Sequence, residues 1–153
     1  MSAESKEKVR SQGLWFAAVI LPILGAVDSA YLLWLKITGQ VAACQGIGDC
    51  EAVNSSRYAE LGGIPIALFG LLAYLLILVL FFLELKFPEW QDSLLLANFG
   101  VTLAGTLYSF YLTYLEVFVL KAICPFCVVS AVIIIILFMI SILRLYIAYS
   151  SEE

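Results

Sequence analysis

Four cysteines stand in two pairs, Cys44 and Cys50 as C-x5-C, Cys124 and Cys127 as C-P-F-C. A Cys-x-x-Cys pair is the usual form of a redox dithiol, and exchange proceeds by attack of a thiolate on a disulfide sulfur. The second pair opens a hydrocarbon run, KAICPFCVVSAVIIIILFMI over 121–140. Pro125 suits the first turn of a helix, which puts Cys124 at its cap. A thiolate there is stabilised by the macrodipole and by N–H groups that lack intrahelical partners. Cys127 lies about 4.5 Å deeper at helical rise and on the same face. One thiol is thus expected to meet a protein sulfur at the surface while the other faces the lipid phase. The chemistry this predicts joins an aqueous disulfide chain to a lipid-soluble electron acceptor, a quinone.

Plainer readings compete. Four cysteines allow three pairings, and their spacing does not choose among them. The loop pair can be a static staple, and CPFC can be two buried structural cysteines. Four thiolates can hold zinc, although the paired short spacings usual for such sites are lacking. The chain has no histidine, which excludes a His metal ligand, a His general base and a Ser-His triad. Asp28 is the one charge inside an apolar run, and an intramembrane ionisable residue points to function. Roughly two helical turns before Lys36, it either relays a proton to the reduced quinone or hydrogen-bonds to Ser29 or to tyrosines of the third span. Tyr108, Tyr111 and Tyr114 read as packing and interface anchors.

These residues need a membrane scaffold. Of 153 residues, 63% are hydrophobic and only 13% charged, far from the roughly 25% charged of soluble domains. Four windows, 14–35, 64–83, 94–115 and 122–143, are each long enough to cross about 30 Å of hydrocarbon. The last three carry no charge. The runs are continuous rather than alternating, which argues against a barrel. The expected fold is therefore all-α: a four-transmembrane-helix bundle, with an N-terminal segment 1–13, a membrane domain 14–144 and a tail 145–153. The first window is too long for a cleaved signal and contains Pro22 and Asp28. The lipoprotein-like V41-A42-A43-C44 is set apart from it by KITGQ, so processing is not expected. The formal charge of −4 comes with no basic patch, so nucleic acid is not an expected partner.

Four spans put both termini on one side. That side carries Lys6, Lys8, Arg10, Lys86 and Arg144, and the other Lys36, Arg57 and Lys121. The positive-inside rule then places the termini in the cytoplasm of a cell (inner) membrane. All four cysteines fall at the exoplasmic face, where disulfides persist. Residues 84–93 form a short inner loop broken by Pro88, and 116–121 a short outer turn. The outer loop 36–63 is long enough to be functional. Gly46 and Gly48 make its C-x5-C segment pliable. Asp49 is placed to cap a helix from Cys50 to about Leu61, ended by Gly62-Gly63. Val53 and Leu61 would lay that helix across the bundle mouth.

The stretch C50-E-A-V-N-S-S-R-Y-A-E-L-G-G-I-P, with F69-G70, Tyr74, Y31-L-x-x-x-K36, L103-A-G-T-L-Y108 and C124-P-F-C127, resembles the vitamin K epoxide reductase family. The likeness spans residues 28–130, in order and with compatible spacing. It implies a four-helix bundle enclosing a quinone of ubiquinone, menaquinone or vitamin K type. It also implies a relay. Cys44 exchanges with a thioredoxin-like partner, Cys50 passes the disulfide to Cys124, and Cys127 contacts the quinone. Ser56 takes the place of the family's functional serine, with a helix hydrogen bond as its plainer role. Asn54, Phe69 and Asp28 are further candidates to line the quinone site. Vertebrate epoxide-reducing members carry an Asn shortly before the Phe-Gly and a Tyr four residues after the last cysteine. Here those positions are Ile66 and Ala131, which favours the microbial role, oxidation of protein thiols with a quinone as acceptor. The chain stops at Glu153 without a thioredoxin-like domain, so the partner is expected to be a separate protein. Running as a quinone or epoxide reductase, or serving as a disulfide-stapled scaffold, are the alternatives.

Overall fold

The computed structural model describes residues 12–41, 44, 46 and 48–150. In hydrocarbon every backbone N–H and C=O needs an internal partner, so apolar runs of this length become helices. Four do: α1 (Gln12–Thr38), α3 (Ile66–Lys86), α4 (Gln91–Tyr114) and α5 (Pro125–Ser150), with a short α2 (Cys50–Ser55) in the outer loop. The four long helices are long and apolar enough to cross a membrane. At most 28% of any span's most apolar window is buried within the chain. Residues such as Val27, Phe82, Phe110 and Phe118 point outward and are satisfied only by lipid. This is a multi-pass membrane protein.

The bundle closes as a ring. α1 packs chiefly on α3 and α4 on α5, while α1–α5 and α3–α4 contacts complete it. Its middle layer is Tyr74, Ile77, Ile133, Ile134 and Leu137. The Tyr74 hydroxyl bonds the Ser130 carbonyl and hydroxyl, each at 2.9 Å, tying α3 to α5.

The helices overrun the apolar windows at their ends. Residues 145–150, expected as tail, are the last turns of α5, whereas the expectations for 1–11 and 151–153 lie outside the described residues. The overrun carries Glu84 and Arg144 into the bundle, where they form a buried ion pair, each 5% exposed, with the guanidinium also over the Phe81 ring. Gln91 Nε2 donates to the same Glu84 oxygen at 3.4 Å. Arg144 is therefore neutralised inside the fold rather than free at the interface. On the other face, Lys36 is paired with Glu60 at 3.1 Å.

The outer loop departs from expectation in one respect. Asp49 does cap α2, its carboxylate accepting from the Ala52 N–H at 3.0 Å. The helix ends at Ser55, however, and a 3-10 turn at Arg57–Ala59 leads into a hairpin, β1 (Glu60–Leu61) against β2 (Ile64–Pro65). Gly62-Gly63 is the hairpin turn and not a helix stop. Both glycines have positive φ, the conformation a two-residue hairpin turn demands. Leu61 is 59% exposed and does not lie across the bundle, whereas Val53 is buried.

Candidate redox site

At the end of the bundle that carries the cysteines, α2 lies against the α4–α5 connection. Cys50, Val53, Leu35 and Cys124 form one buried cluster, with Cys44 and Cys127 packed on its edge. The loop reaches this position through its backbone. The Asp49 N–H donates to the Ile123 carbonyl at 3.0 Å. Gly48, at φ +90°, comes so near that an added Cβ would stand 2.2 Å from that same oxygen. A side chain is excluded there by sterics and by backbone conformation together. The outcome is that the residue before Cys124 and the residues before Cys50 are hydrogen-bonded, and the two cysteine pairs are neighbours.

Their states differ. Cys44 and Cys50 are joined in a disulfide, Cα–Cα 6.2 Å, and Cys124 and Cys127 are free. Cys124 caps α5, whose first residue is Pro125, and the Cys124 carbonyl accepts from the Val128 N–H at 3.1 Å. The Cys127 thiol, hydrogen-bonded to it, holds the Cys124 thiol below its ordinary value, against the burial that pushes the other way. The expected division of surface and depth is altered. Cys124 is not at the water surface but 1% exposed beneath the docked loop, and so is Cys50. Cys127 is only half-buried and opens into a cavity.

That cavity has a volume of about 420 Å³ and lies between α1, α3, α4, α5 and the loop. Asp28, Asn54, Ser56, Phe69, Cys124 and Cys127 all line it. Cys44 and Cys50 do not, and sit behind the Cys124 wall. Asp28 makes no hydrogen bond to Ser29 or to the tyrosines of α4, and its Oδ2 is buried without a hydrogen-bond partner among the described residues. The Ser56 hydroxyl donates to the Val53 carbonyl at 2.8 Å, so its plainer helix-end role is formed and its lone pairs alone face the cavity. The Asn54 backbone carbonyl accepts from Lys36 Nζ at 2.6 Å, and the residue is in the cavity lining. All three tyrosines are exposed, and Tyr108 also lines the cavity. Ile66 and Ala131 are also in the lining.

One lining residue was not anticipated. Glu116 was read as part of a short outer turn. Instead α4 continues into a π-helical turn, Leu115–Leu120, closed by the Ala122 N–H donating to the Glu116 carbonyl at 3.1 Å. This rotates the Glu116 side chain inward to 5% exposure. Its Oε2 accepts from the Cys124 N–H at 3.2 Å, and the carboxyl lies in hydrogen-bonding reach of the Cys127 thiol. No spacing signal announces a π turn, and a lone Glu near a membrane boundary reads as solvated.

A disulfide-bearing loop docked over a helix-capping dithiol, beside an apolar cavity in a four-helix bundle, defines a membrane-embedded dithiol–disulfide protein. The vitamin K epoxide reductase family model matches residues 16–142, and the chain belongs to that family. It is also similar to the thiol-disulfide oxidoreductase LTO1 of Arabidopsis thaliana, with 34% identity over 122 residues. That match covers 76% of this chain but 32% of the relative, so the chain spans about a third of the length of the relative it matches.

Proposed function

We propose that this chain is a thiol–disulfide oxidoreductase that takes electrons from the dithiol of a thioredoxin-like partner at the exoplasmic face and delivers them to a membrane quinone. The observation that carries this reading is the single buried cluster uniting Cys50 with Cys124, flanked by Cys44 on one side and by Cys127 and the cavity on the other. Cys44 is the more accessible sulfur of the loop disulfide, so the partner thiolate attacks there and Cys50 leaves as a thiolate. The partner's second thiol then attacks its own sulfur in the mixed disulfide, so the partner leaves oxidised and Cys44 is freed as a thiol. Cys50 attacks Cys124 of an oxidised Cys124–Cys127 pair, and Cys127 is released toward the cavity. Resolution by Cys44 attacking Cys50 restores the loop disulfide and leaves the Cys124–Cys127 dithiol.

The cavity fits a quinone head group. Its volume falls within the roughly 300–1,000 Å³ of small-molecule sites. Its walls are largely hydrocarbon, and its few polar groups are spaced apart. Asn54 is among the lining residues and would supply an amide for a carbonyl, and Asp28 Oδ2 is left with an open acceptor site. A quinone bound there supplies a two-electron, two-proton sink. Ile66 and Ala131 are hydrocarbon where the epoxide-reducing relatives are polar, which supports protein-thiol oxidation over epoxide reduction. A static scaffold would have no use for a second cysteine pair brought against the first.

The test is Cys127→Ser. The purified variant in detergent should show no quinone reduction on addition of reduced partner, followed by quinone absorbance. It should still accumulate a Cys50–Cys124 disulfide, mapped by mass spectrometry. Normal turnover by this variant refutes the assignment.

A further inference from the structure

When Cys50 attacks Cys124, the Cys50–Cys124 bond forms, the Cys124–Cys127 bond breaks, and the electron pair stays on the Cys127 sulfur. That sulfur faces a cavity walled by Leu32, Val53 and Leu120. A naked thiolate there lacks the water that would stabilise it. The step therefore needs a proton at Cys127, and the chain holds no histidine to supply one. The titratable groups facing the cavity are Asp28 from α1, Tyr58 from the loop, Tyr74 from α3, Tyr108 from α4 and Glu116 from the π turn. Tyr74 is engaged with Ser130 on the α5 side. Glu116 alone among them is hydrogen-bonded at the cysteines, to the Cys124 N–H and within reach of the Cys127 thiol.

Its placement is built rather than incidental. π turns interrupt α-helices chiefly at functional sites. This one is followed by Lys121 at φ +51°, a left-handed conformation that non-glycine residues rarely adopt. The surrounding structure thus maintains an unfavourable backbone whose result is a carboxyl aimed at the dithiol.

We propose that Glu116 is the proton donor and acceptor of the Cys124–Cys127 pair. Its carboxylic acid protonates the Cys127 sulfur as the Cys124–Cys127 bond breaks. In the reverse step its carboxylate takes the proton from the Cys127 thiol, the Cys127 sulfur attacks Cys124, and Cys50 leaves as a thiolate. Both directions balance within the chain, so this role rests on the relay proposed above but not on the quinone.

The experiment uses the full chain with Cys44→Ser, oxidised so that Cys124–Cys127 is closed and Cys50 is free. Release of the Cys127 thiol is followed by quenching, alkylation and mass spectrometry across pH, with and without E116Q. The amide oxygen of E116Q can still accept from the Cys124 N–H, so a purely structural role predicts a near-native rate. Proton transfer predicts a fall of roughly 10²- to 10⁴-fold and loss of the carboxyl-dependent limb of the pH profile. E116D should retain that limb, and formate should partly restore the rate of E116A. E116Q exchanging at the native rate, or slowed with its pH profile unchanged, overturns the role of Glu116 alone. Absence of any Cys50–Cys124 adduct with Glu116 intact overturns the relay, and this role with it.

Discussion

Gly48→Ala should uncouple the two cysteine pairs without touching a sulfur. At φ +90° an alanine pays the left-handed penalty of an L residue, about 1–2 kcal/mol. Its Cβ would also stand 2.2 Å from the Ile123 oxygen, a backbone atom that cannot rotate away. Relief requires the loop to lift, which gives up the 3.0 Å bond from the Asp49 N–H, a net loss of roughly 1 kcal/mol. The docking equilibrium then shifts by roughly 2–3 kcal/mol, or about 30- to 150-fold at 1.36 kcal/mol per decade. Exchange between Cys50 and Cys124 slows by up to that factor once the docked fraction falls below half. The assay is the rate of Cys50–Cys124 bond formation in a Cys44→Ser background oxidised at Cys124–Cys127, with the released Cys127 thiol trapped by alkylation. Gly46→Ala is the control, because that residue also has positive φ but an added Cβ meets nothing within 4 Å. The Gly48 variant should be slower than the Gly46 variant, while each change made in the otherwise native chain should still permit the Cys44–Cys50 disulfide. Native exchange in the Gly48 variant would refute the coupling of loop docking to relay.

The remaining predictions concern charge, protonation and orientation. Glu84→Leu leaves the buried Arg144 guanidinium without its carboxylate and should cost about 3–5 kcal/mol, read as a lowered thermal midpoint in detergent. Because the Cys127 thiol holds Cys124 below its ordinary value, Cys127→Ala should move the onset of Cys124 thiolate absorbance to higher pH; an unchanged or lowered onset would contradict that cause. A membrane-impermeant maleimide applied after reduction should label Cys44 from the exoplasmic side, and labelling only after the inner face is opened would reverse the orientation.

The spans could be read because continuous hydrocarbon runs allow few alternatives in lipid. The chemistry could be read because cysteine pairs carry their meaning in residue type and spacing. The Asp49 cap was equally local, a carboxylate three residues before the N–H it accepts. What escaped the sequence depends on contacts or on unusual backbone. Glu84 and Arg144 each sit one residue beyond an apolar window, and only the closing of the bundle, which sets α3 across from α5, turns two boundary charges into an ion pair. Gly62-Gly63 suits a helix stop and a hairpin turn alike, and the choice went to the hairpin because Ile64 and Leu61 pair across it. Glu116 needed a change of helical pitch that no composition signals.

The 1% exposure of both Cys50 and Cys124 has an electrical consequence. A conductor carried past stray thiols must be sheathed, or it discharges along its length. Here the middle of the sulfur path is sheathed by Leu35, Val53 and the loop backbone itself. Cys44 is partly exposed, whereas the junction is closed to solvent. In the relay proposed above this packing would insulate the junction, and any change that thins the sheath should show first as leakage to a soluble thiol, before any loss of throughput.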